Sequence, residues 1–324
     1  MEQIVVEHVT KEYRIPYKAG GFAGNLRNRI AGRMTIVHAV SDLSFSIEKG
    51  EMAGYIGPNG AGKSTTIRLM CGMTAPTSGT ITVNGLDPQR DRRRVVSRLG
   101  VAFGQLSRLE RDLKLGESFE LLRRIYRVAL PEYRNNLEEL VERLELTGLL
   151  DIPAGLLSAG QRMRGEIAAA LLHTPDILFL DEPTVGLDVD AKKAVRSLIT
   201  DWNREKQITV VLTSHDLEDV SRLCRRLIVI RDGKIVRDGP REEIVKDMAP
   251  WRLLKLEVSG FDGRLRAKTA ELVSWENNRL VCRFDHHKYS ASEVIRELSA
   301  GLNILDLSVE EADIEEAVER IYHL

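Results

Sequence analysis

Residues 57–64 read Gly-Pro-Asn-Gly-Ala-Gly-Lys-Ser, the pattern GxxxxGK[ST] of a phosphate-binding loop. A strand-like apolar run precedes the loop at 52–56, and a predicted helix follows it at 65–70. The glycines let backbone N–H groups face phosphate oxygens, while Lys63 adds positive charge and the Ser64 hydroxyl can ligate Mg²⁺. The loop predicts a nucleoside triphosphate as ligand; the alternative is a glycine-rich structural turn. The predicted contacts are Gly57, Pro58, Asn59, Gly60, Ala61, Gly62, Lys63, Ser64 and Thr65.

A second candidate site follows an apolar strand at residues 177–181, which ends in the carboxylates Asp181 and Glu182. Ligands of open α/β sheets gather at the carboxyl ends of such strands. Asp181 is therefore placed to hold Mg²⁺, directly or through water, and Glu182 to polarise a water molecule aimed at the γ-phosphate. The alternative is a solvated pair of acidic residues that closes a strand.

The third motif is Leu-Ser-Ala-Gly-Gln at residues 157–161. Taken alone, Ser158 and Gln161 form a capping box that starts a helix. The same helix start offers free N–H groups and a positive dipole end, which together make an anion site. In order with the other two motifs, this segment resembles the signature sequence of ABC-type ATPases, which is usually Leu-Ser-Gly-Gly-Gln. Ala159 departs from that form, and we expect only a mild weakening because Ser158 and Gly160 remain.

Further residues fit the same resemblance. Gln105 matches the Q-loop glutamine, which in the family contacts Mg²⁺ or water and faces the membrane partner, and Asp188 matches the D-loop. His215 matches the switch histidine that hydrogen-bonds the γ-phosphate, and Tyr13 matches the aromatic that stacks on adenine, with Tyr17 as the alternative. The resemblance covers about residues 1–240. It implies catalytic roles for Glu182, His215 and Gln105, nucleotide contacts from Tyr13, Ser158, Gly160, Gln161 and Asp188, and a Mg²⁺ site at Ser64, Gln105 and Asp181.

The implied fold is α/β: a P-loop NTPase domain of the ABC ATPase type over residues 1–240, with an N-terminal antiparallel β region. A helical subdomain is expected at about 116–170, where an apolar stripe at 137, 140, 141 and 144 indicates an amphipathic helix. Core strands are predicted at 208–213 and 227–231. A small α+β domain is expected at 250–324, with strands at 253–258, 280–284 and 304–309 and helices at 291–298 and 314–322. The adjacent histidines 286 and 287 are expected to point in different directions and to bind no metal.

The closer resemblance is to ATP-binding subunits of bacterial type-two ABC exporters. It implies ATP and Mg²⁺ as cofactors and a second copy of the chain as partner, because the signature of one copy covers the nucleotide of the other. It also implies a separate membrane permease and a location at the cytoplasmic face of the membrane. The alternatives are an importer ATPase and a soluble ABC protein that is not a transporter component.

The composition is consistent with an ATP-binding subunit that works with a separate membrane permease. The 324 residues carry 47 Lys and Arg against 48 Asp and Glu, so the net charge of −1 gives no signal for binding a polyanion. Cys71, Cys224 and Cys282 lack metal-binding spacing and are expected to be buried thiols. No signal peptide or apolar run of membrane-spanning length is present in the sequence. Arginine-rich residues 90–98 are expected to form a solvated helix, with contact to anionic headgroups or to the permease as the alternative. The glycine-rich segment 18–33 is expected to be disordered or a surface loop, with a membrane-facing role as the alternative.

Overall fold

The computed structural model describes residues 1–16, 34–103, 107–214, 217–248, 251–261 and 263–311. The chain divides into two compact units, Met1–Gly239 and Pro240–Leu324, and each is treated by itself. Gln105, His215, Tyr17, the glycine-rich segment 18–33 and the predicted last helix at 314–322 lie outside the described residues. Within the ranges that are described, no helix is both long enough and apolar enough to cross a membrane.

The N-terminal unit alternates strands with helices. Its strands are β1 (Glu2–Pro16), β2 (Met34–Glu48), β3 (Met52–Ile56), β4 (Ser78–Val83), β5 (Leu99–Phe103), β6 (Ile177–Asp181), β7 (Thr209–Thr213), β8 (Arg226–Arg231) and β9 (Lys234–Pro240). Its helices are α1 (Lys63–Met70), α2 (Arg92–Val96), α3 (Leu115–Tyr126), α4 (Leu130–Arg143), α5 (Ala159–Leu171), α6 (Val189–Lys206) and α7 (Leu217–Leu223). Short 3₁₀ turns lie at Thr147–Leu149 and Ala154–Leu156.

The central sheet has the strand order β5-β6-β7-β3-β8-β9. The first five of these strands pair in parallel and are buried along nearly their whole length, which explains their continuous apolar runs. Phe103, Asp181 and Thr213 stand side by side in the register. The carboxyl ends of β5, β6 and β7 therefore meet at one edge, beside the loop that follows β3.

A second sheet is antiparallel and places β1 between β2 and β4, as predicted for the N-terminal region. Side chains from both sheets and from α1 form one core, in which Ile4, Ile47, Tyr55 and Ile67 are fully buried. The Tyr55 hydroxyl donates a hydrogen bond to Thr66 of α1 at 3.1 Å. This packing brings β2 beside the loop that precedes α1.

The first part of the helical subdomain expected at about 116–170 consists of two helices, α3 and α4. α3 ends at Tyr126 because Arg127 adopts a φ of +56°, a left-handed conformation that cannot continue a right-handed helix. α4 then begins with proline in its first turn. The predicted apolar stripe is confirmed at Leu140, Val141 and Leu144, which are buried, while Leu137 is partly buried.

His173, just after α5, links three elements of the unit. Its ring stacks on Tyr126 with centroids 3.8 Å apart. Its Nε2–H donates to the Leu99 carbonyl at 3.1 Å, while Nδ1 is buried without a hydrogen-bond partner among the described residues. Burial, assisted by the positive charge of Arg108, lowers the pKa of His173 to about 4.

We expect the free energy of unfolding to decrease as the pH falls from 6.5 to about 4. The unfolded imidazole takes up a proton at its ordinary pKa while the folded one stays neutral, so acid favours the unfolded chain by up to about 3 kcal/mol. Urea denaturation of the wild type and His173→Phe across this pH range measures the effect. Phenylalanine keeps the stacked ring but cannot take up a proton, so its stability should fall less steeply. Equal slopes for the two proteins would contradict the prediction.

The C-terminal unit is a four-stranded antiparallel sheet in the order β11-β12-β10-β13. Its elements are α8 (Arg241–Met248), β10 (Trp251–Ser259), β11 (Glu271–Glu276), β12 (Arg279–Asp285), α9 (Ala291–Ser299) and β13 (Asn303–Glu311). Val294 and Leu298 of α9 pack on Leu254, Leu280 and Phe284 of the sheet. The sequence predicted β10, β12, α9 and β13 but missed α8 and β11.

Two side-chain predictions had different outcomes. The cysteines at 71, 224 and 282 are buried and not in disulfides, as expected. The rings of His286 and His287 lie stacked with centroids 4.4 Å apart, so the prediction that they point in different directions is wrong. The two histidines follow Asp285 in a tight turn, in which the Asp285 carbonyl accepts hydrogen bonds from the N–H groups of residues 288 and 289. Because the chain turns here, successive side chains do not alternate as they do in an extended strand.

Candidate functional site

The loop between β3 and α1 needs glycine for steric reasons at two positions. A Cβ atom on Gly57 would lie 2.4 Å from the Ile230 carbonyl oxygen. Gly62 has a φ of +106°, and a Cβ there would lie 2.4 Å from the Ala39 carbonyl oxygen. The close approach of β8 and β2 therefore fixes the loop, and α1 begins directly at Lys63.

Lys63 is held against this loop. Its ammonium donates hydrogen bonds to the carbonyls of Gly57 at 2.6 Å and Pro58 at 3.2 Å. Burial lowers the pKa of Lys63, while the negative charges of Glu182 and Asp181 act in the opposite direction. The cation thus shares its surroundings with the two carboxylates predicted from the strand at 177–181.

Asp181 stands between two hydroxyl groups. The Ser64 hydroxyl donates to Oδ2 of Asp181 at 3.3 Å. The hydroxyl of Thr213, the neighbour of Asp181 in the register, donates to Oδ1. Ser64 and Asp181 therefore present hard oxygen atoms at short range, a donor set that suits Mg²⁺ bound by one carboxylate together with phosphate and water.

Glu182 has an unusual backbone. Its φ is +59°, in the left-handed region that non-glycine residues rarely adopt, and its N–H donates to the Thr213 carbonyl at 2.9 Å. The chain turns sharply here, directly after β6, and both carboxylates line the same cleft. Backbone strain of this kind concentrates at functional sites.

The cleft has a volume of about 980 Å³ and lies over the carboxyl ends of the strands. Its lining includes Asn59, Gly60, Gly62, Lys63, Ser64, Thr65, Asp181 and Glu182 among the predicted residues, and Ala159 from the start of α5. Val37, His38 and Ala39 of β2 also line it, as do Ser107, Leu109, Arg111, Arg162, Met163 and Glu166. The sequence did not predict these last nine residues.

Tyr13 is not among the residues that line the cleft. It is 36% exposed and lies opposite Val37 in the β1–β2 register, so its strand partner, rather than Tyr13 itself, reaches the cleft. The Lys11 ammonium lies 5.1 Å from the centre of the Tyr13 ring. Nδ1 of His38, the next residue of β2, lies 3.3 Å from a carboxylate oxygen of Glu12.

The start of α5 forms the capping box that its sequence predicts. The Gln161 N–H donates to the Ser158 hydroxyl at 3.2 Å, and the Ser158 N–H donates to the Gln161 side chain at 2.9 Å. Gly160 faces the segment after Glu182 closely, since a Cβ there would lie 3.0 Å from the Gly186 carbonyl oxygen. Ser158, Ala159 and Gly160 are at least partly accessible at the helix start.

Asp188 also acts as a helix cap. Its carboxylate accepts a hydrogen bond from the Ala191 N–H at 2.8 Å and starts α6. The glycine at 186 has a φ of +77°, and an added Cβ would lie 3.9 Å from the Cβ of Ala159. The segments at 158–161 and 186–188 are therefore neighbours on one surface.

The Cβ of Ala159 has room in this arrangement, because even a Cβ atom added to Gly186 would stay at ordinary van der Waals distance from it. We therefore expect Ala159→Gly to change the steady-state ATPase rate by less than about tenfold, because the helix N-terminus and its cap are unchanged. A rate increase of more than tenfold would show that this Cβ hinders the approach of phosphate. Phosphate release from the two purified proteins measures it.

A family model described as ABC transporter matches residues 40–185. The ABC transporter ATP-binding protein NatA of Bacillus subtilis is 35% identical over 216 residues, which cover 67% of this chain and 87% of NatA. The Nod factor export ATP-binding protein I of Ralstonia nicotianae is 35% identical over 266 residues, 79% of each chain. The structure of the dimeric bacterial ABC transporter cassette MJ0796 is similar with a TM-score of 0.61 and 29% identity, covering 73% of this chain and 98% of that one.

Proposed function

Because the chain belongs to the family of ABC transporter ATP-binding proteins, we propose that it is an ATPase subunit that powers export through a separate membrane permease. The observation that carries this proposal is the single cleft in which the phosphate loop, Asp181 and Glu182 come together. The cleft holds both the groups that bind a triphosphate and a carboxylate that can activate water. The protein is expected at the cytoplasmic face of the membrane.

Within the site each residue has a distinct proposed role. The backbone of 57–62 and the Lys63 ammonium hold the β- and γ-phosphates. Ser64 and Asp181 would hold Mg²⁺, which neutralises phosphate charge when bound. Glu182 orients and deprotonates the attacking water. Gln105 and His215, outside the described residues, are proposed by resemblance to contact Mg²⁺ or water and the γ-phosphate.

The second half of each site is proposed to come from another copy of the chain. The sequence contains one phosphate loop and one signature segment, and a similar cassette forms dimers. Ser158, Gly160 and Gln161 are at the accessible N-terminus of α5, where N–H groups and the helix dipole favour an anion. In a head-to-tail dimer this end, together with Asp188, would cover the nucleotide of the partner. Tyr13 lies outside the lining of the cleft, and its stacking on adenine is proposed from the resemblance alone.

Export rests on relatives. The Nod factor export protein, at 35% identity over most of its length, is named for an exporter. An importer ATPase would use the same catalytic residues, so direction is tested in the membrane. Transport by inverted vesicles that contain the chain and its permease should depend on ATP added outside and should move substrate inward.

The paired site is tested by light scattering of Glu182→Gln with ATP and Mg²⁺. Glutamine keeps the size of the side chain but cannot accept the proton, so ATP should remain bound and hold two chains together. We expect a dimer with ATP and a monomer with ADP. A protein that stays monomeric with saturating ATP would contradict an ATP-held dimer of the isolated chain.

A mixing experiment distinguishes a shared site from one contained in a single chain. Lys63→Ala and Ser158→Ala should each be nearly inactive alone, because every site in either homodimer carries one defect. A mixed dimer contains one site made of two intact halves, so mixing should restore part of the activity. No recovery, with mixed dimers present, would contradict the head-to-tail arrangement.

We also propose that the C-terminal unit, residues 240–324, stabilises the dimer or regulates its ATPase. Deleting residues 245–324 should then weaken ATP-dependent dimerisation or change the ATPase rate. A deletion that alters neither would remove this proposal.

A further inference from the structure

Glu166 is a buried carboxylate in the middle of α5. It is 3% exposed, and its hydrogen-bond partners among the described residues are a hydroxyl and backbone N–H groups, not a lysine or arginine side chain. Its partners belong to one short segment. The Ser107 hydroxyl donates to Oε1, the Arg108 N–H donates to both oxygens at 3.1 and 3.0 Å, and the Leu109 N–H donates to Oε1 at 3.4 Å. Three consecutive residues thus donate to one side chain, as a carboxyl group that is shielded from water requires.

The preceding helix residue reinforces this contact. A Cβ atom added to Gly165 would lie 3.1 Å from Leu109 and 3.1 Å from Leu115, so only glycine lets α5 approach this closely without displacing its neighbours. Leu109 is itself 3% exposed. The segment 107–109 is therefore fixed to α5 by hydrogen bonds at Glu166 and by close packing at Gly165.

The same segment is also tied to the central sheet. The Arg108 guanidinium donates to the Tyr126 hydroxyl at 3.1 Å, and the Tyr126 ring stacks on His173. His173 in turn donates to the carbonyl of Leu99, the first residue of β5. The segment thus lies between the helix that begins at the signature and the strand that leads to Gln105.

We propose that Glu166 is a positioning residue for ATP hydrolysis, which holds the segment after Gln105 to the signature helix so that the two move as one body. Ser107, Leu109 and Glu166 line the cleft beside the signature residue Ala159. Movement of α5 towards a nucleotide would therefore carry residues 107–109, part of the cleft lining, with it. Glu166 acts through this segment and not by contact with ATP.

The inference rests on the ATPase function proposed above, so wild-type activity is measured in the same assay. We expect Glu166→Ala to lower kcat by about ten- to a hundredfold, because a misplaced segment costs reactive geometry. The KM for ATP should change less than about twofold, since the phosphate loop is untouched. Glu166→Gln keeps one acceptor oxygen, so its kcat should lie between that of Glu166→Ala and that of wild type. Ser107→Ala removes one donor and should lower kcat a few-fold.

Asn136→Ala is the matched structural control. The Asn136 side chain is also buried and donates to the Leu172 carbonyl at 3.1 Å and to the Thr174 hydroxyl at 2.9 Å, just beyond the C-terminal end of α5. It should lower the urea midpoint as Glu166→Ala does, yet leave kcat within about twofold of wild type.

The pattern of effects decides the inference. If Glu166→Ala lowers kcat no more than Asn136→Ala does at equal loss of stability, the carboxylate is only structural and the proposal is wrong. If Glu166→Ala does not fold, the double variant Glu166→Gln with Ser107→Ala decides. Its fold-loss of kcat should be smaller than the product of the two single losses, because both changes act on one contact, and fully multiplicative losses would contradict the proposal. An inactive wild type would instead contradict the ATPase function.

Discussion

Glu182→Gln is expected to lower the steady-state ATPase rate by about a hundred- to ten-thousandfold, the usual contribution of a positioned general base. ATP binding should persist, because the phosphate loop, Lys63 and Asp181 are unchanged. Phosphate release measures the rate, and a fluorescent ATP analogue measures binding. A variant that keeps more than about a tenth of the wild-type rate would show that another group activates the water.

The left-handed backbone of Glu182 allows a second, independent measurement. At a φ of +59°, a Cβ atom costs about 1–2 kcal/mol that glycine does not incur. Glu182→Gly and Glu182→Ala both lack the carboxylate and differ only in this Cβ. Both should be inactive. The free energy of unfolding, measured by urea denaturation, should be about 1 kcal/mol higher for the glycine variant than for the alanine variant.

Each result has its own meaning. Hydrolysis by the glycine variant would contradict the role of Glu182 as the base. Equal stability of the two variants would mean that the backbone changes conformation when the carboxylate is removed. If the glycine variant is more stable than the alanine variant and has no activity, the strained turn at the end of β6 is kept for its function.

Much of this site was predictable because its physical causes are local. The phosphate loop needs glycine where neighbouring carbonyls approach within 2.4 Å of a Cβ position, and that need is visible as spacing at Gly57 and Gly62. Asp181 was predictable from one rule, that ligands gather at the carboxyl ends of parallel strands. The capping box at Ser158 and Gln161 is equally local.

Residues contributed by distant segments could not be found this way. His38 reaches the cleft because β2 of the second sheet packs beside α1, a contact set by the whole core. Glu166 looks like any acidic residue in a polar helix turn until residues 107–109 are packed against it. β11 was missed because nearly all of its residues are exposed and its register shifts between 272 and 274, so it carries no clear alternation.

Asp219→Ala is expected to lower the free energy of unfolding by about 3 kcal/mol, the cost of leaving a buried charge without its partner. Asp219 of α7 is fully buried and accepts from the Arg196 guanidinium of α6 at 2.6 Å. The Arg196 side chain is only 11% exposed and keeps a second partner, Glu218, at 3.2 Å. Asp219 also accepts the hydroxyl hydrogen bond of Thr184.

An exposed ion pair provides the control. Lys114 and Asp151 lie 2.9 Å apart with side chains 49% and 92% exposed, so Asp151→Ala should cost less than about 1 kcal/mol. Urea denaturation of both variants beside wild type measures the difference. Equal small losses would contradict a stabilising role for the buried pair.

Replacing both partners separates the pair itself from the penalty of breaking it. Asp219→Leu with Arg196→Met removes both charges and fills the space with apolar groups, so most of the lost stability should return. The Thr184 hydroxyl would still lose its acceptor, and Thr184 lies two residues after Glu182 and two before Gly186. We therefore expect the double variant to recover stability while its ATPase rate stays below that of wild type. If stability and ATPase rate both recover, Asp219 serves only to compensate the charge of Arg196. If stability alone recovers, Asp219 also holds Thr184 and thereby the segment between Glu182 and Gly186.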